Sequence, residues 1–430
     1  MHDLKLVREQ PALLRDAMRR RQALDALAPQ LDRLEALERE RRALIQEVEE
    51  RKAARNAGSQ EVARRRKAGE SADALIAEGR RLGETIAELD VRRAAVESEL
   101  DAVLLHLPNV PLPDVPDGGE DDSPIVRAWG TPRDGAELLP HWELGARLAL
   151  LDLERGVKVS GSGFVVYRGA GARLVRALMN WCLDVHTAEH GYEEVWAPAL
   201  VTRAAMTGTG QLPKFEDDAY AIAGDDGLFL IPTAEVPVTN LYRDEILDAA
   251  RLPMALCAYT PCFRREAGSA GKDTRGLQRL HQFDKVELVR YSTPEDSAAQ
   301  LELLTGHAEL LLQRLELPYR VKLLAAGDTG FSSAKTYDLE VWAPGLGRWL
   351  EVSSCSVFTD FQARRANIRF RPASGEKPRF VHTLNGSGLA FPRVIAALLE
   401  HHQQPDGSVR LPEPLRPYVG VDALGPVAAR

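Results

Sequence analysis

The chain has 430 residues, 44% of them hydrophobic and 27% charged, with a formal net charge of −8. This length favours more than one domain. The acidic balance disfavours generic adhesion to nucleic acid, so any such contact needs a local basic patch. No apolar run reaches the roughly 20 residues that span a bilayer. The four cysteines, Cys182, Cys257, Cys262 and Cys355, lack the CxxC spacing of a zinc ribbon and suggest no disulfide framework. With an N-terminus that lacks the regions of a signal peptide, this predicts a cytoplasmic protein.

Along the first hundred residues, Leu24, Leu27, Leu31, Leu34, Ile45 and Val48 recur at three- and four-residue steps, with Glu38 and Arg41 interrupting the seam. Leu75, Leu82, Leu89, Val96 and Val103 then repeat every seven residues, with Ile86, Leu100 and Leu107 interleaved. Two long heptad helices follow from this periodicity. Gly58, Ser59 and Gly69 in "RNAGSQEVARRRKAGESA" break the pattern, so residues 1–107 are predicted to form an antiparallel helical hairpin with its turn in that stretch. Arg51, Lys52, Arg55, Arg64, Arg65, Arg66 and Lys67 cluster near the turn, opposed there only by Glu61. Such a run is either a solvated surface or a tip that follows a nucleic-acid backbone.

Residues 108–124, "PNVPLPDVPDGGEDDSP" after the second helix, are rich in proline, glycine and acid and read as a linker. From 125 to 430, short strand-like runs mix with helical stretches, which predicts an α+β domain with a mainly antiparallel sheet flanked by helices. Neither a GxxxxGK[ST] phosphate loop nor a strand-linked GxGxxG occurs.

Chemistry concentrates in four stretches of this second part. In "CFRREAGSAGKDTRGLQRLHQFDKVELV", Arg264 and Glu266 are two apart, as are Phe283, Lys285 and Glu287; in extended strands each set shares a face. By the same alternation Arg265 points the other way. "IPTAEVP" puts Thr233 and Glu235 on one side of a strand end, and "LEVSSCS" puts Glu351 and Ser353 on one face with Ser354 beside them. "HTLNGSGLAFPRVIAALLE" passes from a small-residue turn into a helix with Pro392 in its first turn and Arg393 next, where an anion would meet a guanidinium and free backbone donors together. Cys262, Cys355, His281 and His382 show no pairing of nucleophile and base and read as structural.

The motif around Arg264 and Phe283 resembles motif 2 of the class II aminoacyl-tRNA synthetases in their seryl form, and the stretch from Thr383 to Pro417 resembles motif 3 of the same family. "YEEVWAPALV" is similar to motif 1, "TAE" at 233–235 to the serine-binding signature, and the N-terminal hairpin to the tRNA-binding arm. The resemblance implies a homodimer that activates L-serine with ATP to seryl-adenylate and transfers the seryl group to tRNA(Ser), with tRNA(Sec) as a further acceptor. It implies that Arg264 bridges the serine carboxylate and the α-phosphate, that Phe283 and Arg393 sandwich adenine, and that Arg393 also reaches the γ-phosphate. Arg264, Arg393 and Glu351 are then the catalytic set. Arg265, Glu266, Leu280, Val352 and Ser353 complete the ATP-binding surroundings, and Glu351 with Ser354 would hold Mg²⁺. Thr233, Ala234, Glu235, Glu287, Asn385 and Ser387 would form the serine pocket, with the division of labour between the two glutamates left open. The basic arm tip, together with Lys272 and Arg275 of the motif 2 loop, would meet tRNA. Two rivals are a paralogue loading an amino acid onto a carrier protein, against which the basic-tipped arm argues, and a non-catalytic coiled-coil adaptor, against which intact Arg264, Glu287, Glu351 and Arg393 argue.

Overall fold

The computed structural model describes all residues except 136, 268–274, 373–375 and 426–430. It divides into two compact units, Met1–Pro108 and Asn109–Arg430.

The first unit is helical: α1 (Leu4–Glu9), α2 (Pro11–Arg20), α3 (Leu24–Lys67) and α4 (Asp73–Leu105). The two long helices pair along Leu31, Leu34, Leu37, Leu44 and Val48 on one side and Ile86, Val96, Leu100 and Leu104 on the other, all buried. Glu38, which interrupts the apolar seam in the sequence, is buried there and accepts from Arg41 at 2.8 Å. Exposed Arg33–Glu99 and Arg92–Glu40 pairs tie the helices from outside. The turn lies later than Gly58 and Ser59 suggest. α3 runs through both, because a single helical glycine costs only about 1 kcal/mol and Ser59 Oγ bonds back to the Arg55 carbonyl. The helix stops at Gly69, whose φ of 78° leaves the right-handed region.

The second unit is built on eight strands: β1 (Ile125–Trp129), β2 (Glu193–Glu194), β3 (Met254–Phe263), β4 (Gln282–Ser292), β5 (Tyr319–Leu323), β6 (Lys335–Ala343), β7 (Arg348–Val357) and β8 (His382–Ala390). Their order is β1-β5-β6-β7-β8-β4-β3-β2. Every pairing is antiparallel except β2 with β3. Helices α5 (Ala170–Ala188), α6 (Arg203–Thr209), α7 (Glu235–Thr239), α8 (Ser297–Arg314), α9 (Phe361–Ala366) and α10 (Phe391–His402) surround it. The core gathers Leu174, Leu178 and Trp181 of α5, Leu304 and Leu311 of α8 and Val394 and Leu398 of α10 against Val286, Leu288, Leu339 and Val341 of the strands.

Two stretches differ from their sequence reading. The Pro-rich stretch after Pro108 is packed along the second unit: Asn109 Nδ2 donates to the Ser332 and Phe358 carbonyls at 2.9 and 2.8 Å, and Leu112 N donates to Ala334 O at 2.9 Å. Proline removes donors, and the remaining N–H groups find loop carbonyls. "TLNGSG" is strand, not turn. Its glycines serve close approach, since a Cβ on Gly386 would lie 2.3 Å from Leu304 Cδ2 and one on Gly388 2.6 Å from His186 Nε2.

Candidate functional site

A cavity of about 290 Å³ opens on one face of the sheet between β4, β7, β8, the start of α10 and the segment that follows β3. Arg264, Glu266, Leu280, Phe283, Glu351, Val352, Ser354 and Arg393 line one part of it; Thr233, Glu235, Glu287, Asn385 and Ser387 line another. Segments more than a hundred residues apart thus meet because β7, β8 and β4 are neighbours in the sheet. Ala234, Arg265 and Ser353 are not on the wall. Ala234 is fully buried, Arg265 is exposed, with its backbone N–H bonded to Asp218 O, and Ser353 Oγ donates to Ser387 O at 2.7 Å.

Simple alternation fails at three places. β3 ends at Phe263, so Arg264 and Glu266 lie beyond the strand, and Glu266 takes a φ of 53° that turns it to pair with Arg279. In β7 the register slips between Leu339 and Glu340 on the partner strand, leaving Val352 as the extra residue. That bulge puts Ser354 on the cavity side with Glu351 and sends Ser353 inward. Thr233 and Glu235 stand at the entry to α7, where Thr233 Oγ1 accepts the Glu235 backbone N–H at 3.1 Å.

At the arginine end, the Arg264 guanidinium lies 5.1 Å from the centroid of Phe283. Arg393 Nε donates to Gln278 O at 3.0 Å and its Nη1 to Glu351 O at 2.9 Å. Two guanidinium groups, of which that of Arg393 is held by two carbonyls, and an aromatic face in one recess suit an anion attached to a flat ring.

The acidic end is a hydrogen-bonded cluster. Thr233 Oγ1 donates to Glu287 Oε2 at 2.9 Å, Asn385 Nδ2 donates to Glu287 Oε1 at 3.1 Å, and Lys285 pairs with Glu287 and donates to Thr233 at 3.0 Å. Glu235 accepts from Gln362 Nε2 at 2.6 Å. Burial pushes the Glu235 carboxyl up to about 7, helped by the charge of Glu287 and opposed by Gln362, Lys285 and Arg264. Lys285 stands out in the sequence only as part of an alternating face; Gln362 and Arg279 carry no signal there. Asp338 carries none either. It faces Ser354 across the β6–β7 ladder, and burial followed by the nearby Glu351 charge raises its carboxyl well above the usual range.

Glu351, Ser354 and Asp338 offer oxygen donors of the kind a hard cation prefers. Among the described residues no group of three or more His, Cys, Asp and Glu side chains is arranged to hold a metal by itself. A divalent ion here would therefore need phosphate oxygens as well. The remaining sulfur and imidazole groups are structural: burial raises the Cys262 thiol and pushes Cys355 up to about 12, while His281 Nδ1 contacts Arg264 O and His382 Nδ1 contacts Ser297 Oγ.

On the arm, Arg51, Lys52, Arg55, Arg64, Arg65, Arg66 and Lys67 all belong to α3. Arg51 pairs with Glu47 at 3.2 Å, Lys52 with Asp90 at 4.0 Å, and Arg64 and Arg65 both engage Glu61, at 2.7 and 3.1 Å. Arg66 and Lys67 are exposed. In the second unit, Arg275 stacks 4.6 Å from the Trp142 ring, and Lys272 lies outside the described residues.

Residues 1–111 match the model of the seryl-tRNA synthetase N-terminal domain, and residues 214–402 match that of the class II tRNA synthetase core domain (G, H, P, S and T). The chain is 68% identical to the serine–tRNA ligase of Gemmatimonas aurantiaca over 98% of its own length and 99% of that protein's. The seryl-tRNA synthetase of Pyrococcus horikoshii, solved with ATP, superposes with a TM-score of 0.95 at 39% identity over the whole of both chains. The cytoplasmic serine–tRNA ligase of Naegleria fowleri, solved with AMP, gives 0.88 at 30% identity over 99% of this chain and 98% of that one.

Proposed function

Since this chain belongs to the seryl-tRNA synthetase family, with the class II core and the N-terminal domain that go with it, we propose that its cavity joins L-serine to ATP and passes the seryl group to tRNA(Ser), with tRNA(Sec) as a second acceptor. The observation that carries this reading is the meeting of Arg264 and Arg393 with a hydroxyl-rich, acidic recess in one cavity.

In the first step a serine carboxylate oxygen attacks the α-phosphorus of ATP, the bond to the β-phosphate oxygen breaks, and pyrophosphate leaves. Negative charge grows where two anions approach, so fixed cations help more than a nucleophile. Arg264 bridges the carboxylate and the α-phosphate. Phe283 and Arg393 hold adenine between an aromatic and a guanidinium plane, which lysine would do less well. Glu266 and the backbone at Leu280 border the base. Glu351 and Ser354 would hold Mg²⁺, which when bound neutralises phosphate charge. In the second step a terminal ribose hydroxyl of tRNA attacks the carbonyl carbon, and AMP departs.

Glu235 and Glu287 face the serine ammonium and hydroxyl, with Thr233, Asn385 and Ser387 closing the pocket. A site built to hydrogen-bond a hydroxyl rejects the analogue lacking it by as much as about 10⁴ to 10⁵, because its own polar groups are left unpaired.

Two copies assemble as a dimer, and Trp196, 76% exposed just after α5 and β2, is an apolar group that a second copy would cover. The arm tip of one copy guides tRNA toward the site of the other. No described helix is long and apolar enough to cross a membrane. All four cysteines are free and buried, which suits a reducing compartment such as the cytoplasm. Serine-dependent exchange of pyrophosphate into ATP, followed by charging of total tRNA with each amino acid in turn, tests the reading. Exchange with another amino acid, or adenylate formation without tRNA charging, overturns it.

A further inference from the structure

Gln362 sits in the second position of α9 and is completely buried. Its amide nitrogen meets two acceptors, Glu235 Oε1 at 2.6 Å and Thr209 O at 3.2 Å, while its amide oxygen accepts from Thr383 Oγ1 at 2.7 Å. Two acceptors at one end and a hydroxyl donor at the other fix which way the amide points. Thr383, fully buried in β8, thereby orients Gln362, and Gln362 orients Glu235.

The two pocket carboxylates are held in different ways. Glu287 already has a cation, because Lys285 pairs with it, and two further donors in Thr233 and Asn385. The direct side-chain partner of Glu235 is neutral. A neutral donor fixes the direction of a buried carboxylate without cancelling its charge, so that charge remains for a cationic group of the substrate. Lys285 and Arg264 bear on Glu235 from β4 and from the segment after β3, Glu287 opposes them, and α9 contributes only the amide.

We propose that Gln362, aligned by Thr383, is a positioning residue that aims the Glu235 carboxylate at the ammonium group of the amino acid. The inference rests on the functional reading above and assigns Glu235, rather than Glu287, to the ammonium.

The test uses the full chain with Gln362→Met, which keeps volume and removes the donor, and Thr383→Val, which removes only the aligning hydroxyl. Serine-dependent exchange is measured between pH 6 and 9, with melting curves to establish that each variant is folded. A hydrogen bond to a charged group corresponds to roughly a ten- to hundredfold effect. Gln362→Met is therefore expected to raise KM for serine by about that factor, leaving KM for ATP within about twofold. Glu235 titrates near 7 and Gln362 holds it down, so losing the donor moves the acid limb of kcat/KM for serine to higher pH by about one unit or more. Thr383→Val should shift both readouts the same way, less far. Unchanged serine KM and pH profile in folded variants overturns the inference, as does an equal rise in both KM values with no movement of the limb. If the unaltered chain shows no serine-dependent exchange, the functional reading falls, and the inference with it.

Discussion

Arg393 and Glu351 meet at the edge of the cavity, the guanidinium donating to the Glu351 backbone carbonyl at 2.9 Å and lying 3.4 Å from its carboxylate. The backbone contact survives any change of the Glu351 side chain, whereas the ion pair does not. Glu351→Gln should keep Arg393 in place and weaken the hold on Mg²⁺. Magnesium titration of the exchange reaction should show the half-saturating concentration rising by about tenfold or more. An unchanged magnesium dependence would remove Glu351 from the cation site.

Arg264 over Phe283 predicts two separable losses. Arg264→Ala should lower the rate of exchange by about 10² to 10³, the scale of one preorganised charge-stabilising group. Phe283→Ala should act mainly on KM for ATP, by about fivefold to a hundredfold, because stacking a base on an aromatic ring is worth roughly 1–3 kcal/mol. Wild-type kcat in Arg264→Ala would exclude this arginine from the chemistry.

On the arm, Glu61 holds both Arg64 and Arg65, whose hydrogen bonds draw its carboxyl down to about 2. Replacing Arg64, Arg65 and Arg66 by alanine should weaken tRNA binding and flatten its salt dependence, by roughly 0.7 to 0.9 in slope for each phosphate left without its cation. Serine-dependent exchange should be untouched. Glu61→Ala should strengthen tRNA binding by releasing two guanidinium groups. Unaltered tRNA affinity in the triple variant would make this run an ordinary solvated surface.

Acid should destabilise the second unit. His186, His190 and His307 cluster between α5 and α8, with His190 and His307 stacked at 4.0 Å. Burial, then its histidine neighbours, takes His186 down to about 3, and burial takes His307 down to about 4. These imidazoles are neutral in the folded protein, while unfolded histidine titrates at about 6.5. The unfolded chain therefore binds more protons between those values, and the stability present above pH 6.5 is lost as pH falls toward 3. Melting at pH 7.5 and pH 5 should differ by several degrees, with the lower Tm at pH 5, and an identical Tm would refute the assignment.

Glu400 links the edge of the site to the core. Fully buried, it accepts from His141 N and Nδ1 at 2.9 and 2.8 Å and from Leu346 N at 3.1 Å, while His141 Nε2 receives the Leu277 N–H at 2.9 Å beside the cavity. Glu400→Ala would strand two buried donors of His141 and a half-buried one at Leu346, so a loss of about 3 kcal/mol or more is expected in urea unfolding. A loss below about 1 kcal/mol would mean that water replaces the carboxylate.

The heptads, the basic run and the position of Pro392 before Arg393 were all legible from residue order, because each is set by local periodicity or by a few adjacent residues. So were the charged and aromatic residues Arg264, Phe283, Glu287, Glu351 and Arg393 of the cavity wall, since they stand in short motifs, whereas Thr209, Phe215 and the stretch from Gly330 to Ser333 on the same wall were not. Gln362, Asp338 and Arg279 were not legible. An amide in "FQARR" becomes part of the site only when α9, packed on α6 and β8, brings it against Glu235, and Asp338 matters only once β6 lies beside β7.

Alone, the order of residues determined a helical arm with a cationic run, an antiparallel α+β unit and the chemical types gathered in its cavity. Tertiary structure decided which of those groups share a face. A bulge at Val352 exchanged Ser353 for Ser354, a positive φ at Glu266 turned it to Arg279, and packing of distant strands gave Glu287 a cation while giving Glu235 an amide. The reason is that side-chain period is a local property, whereas register, bulges and buried hydrogen-bond partners depend on groups far away in the chain.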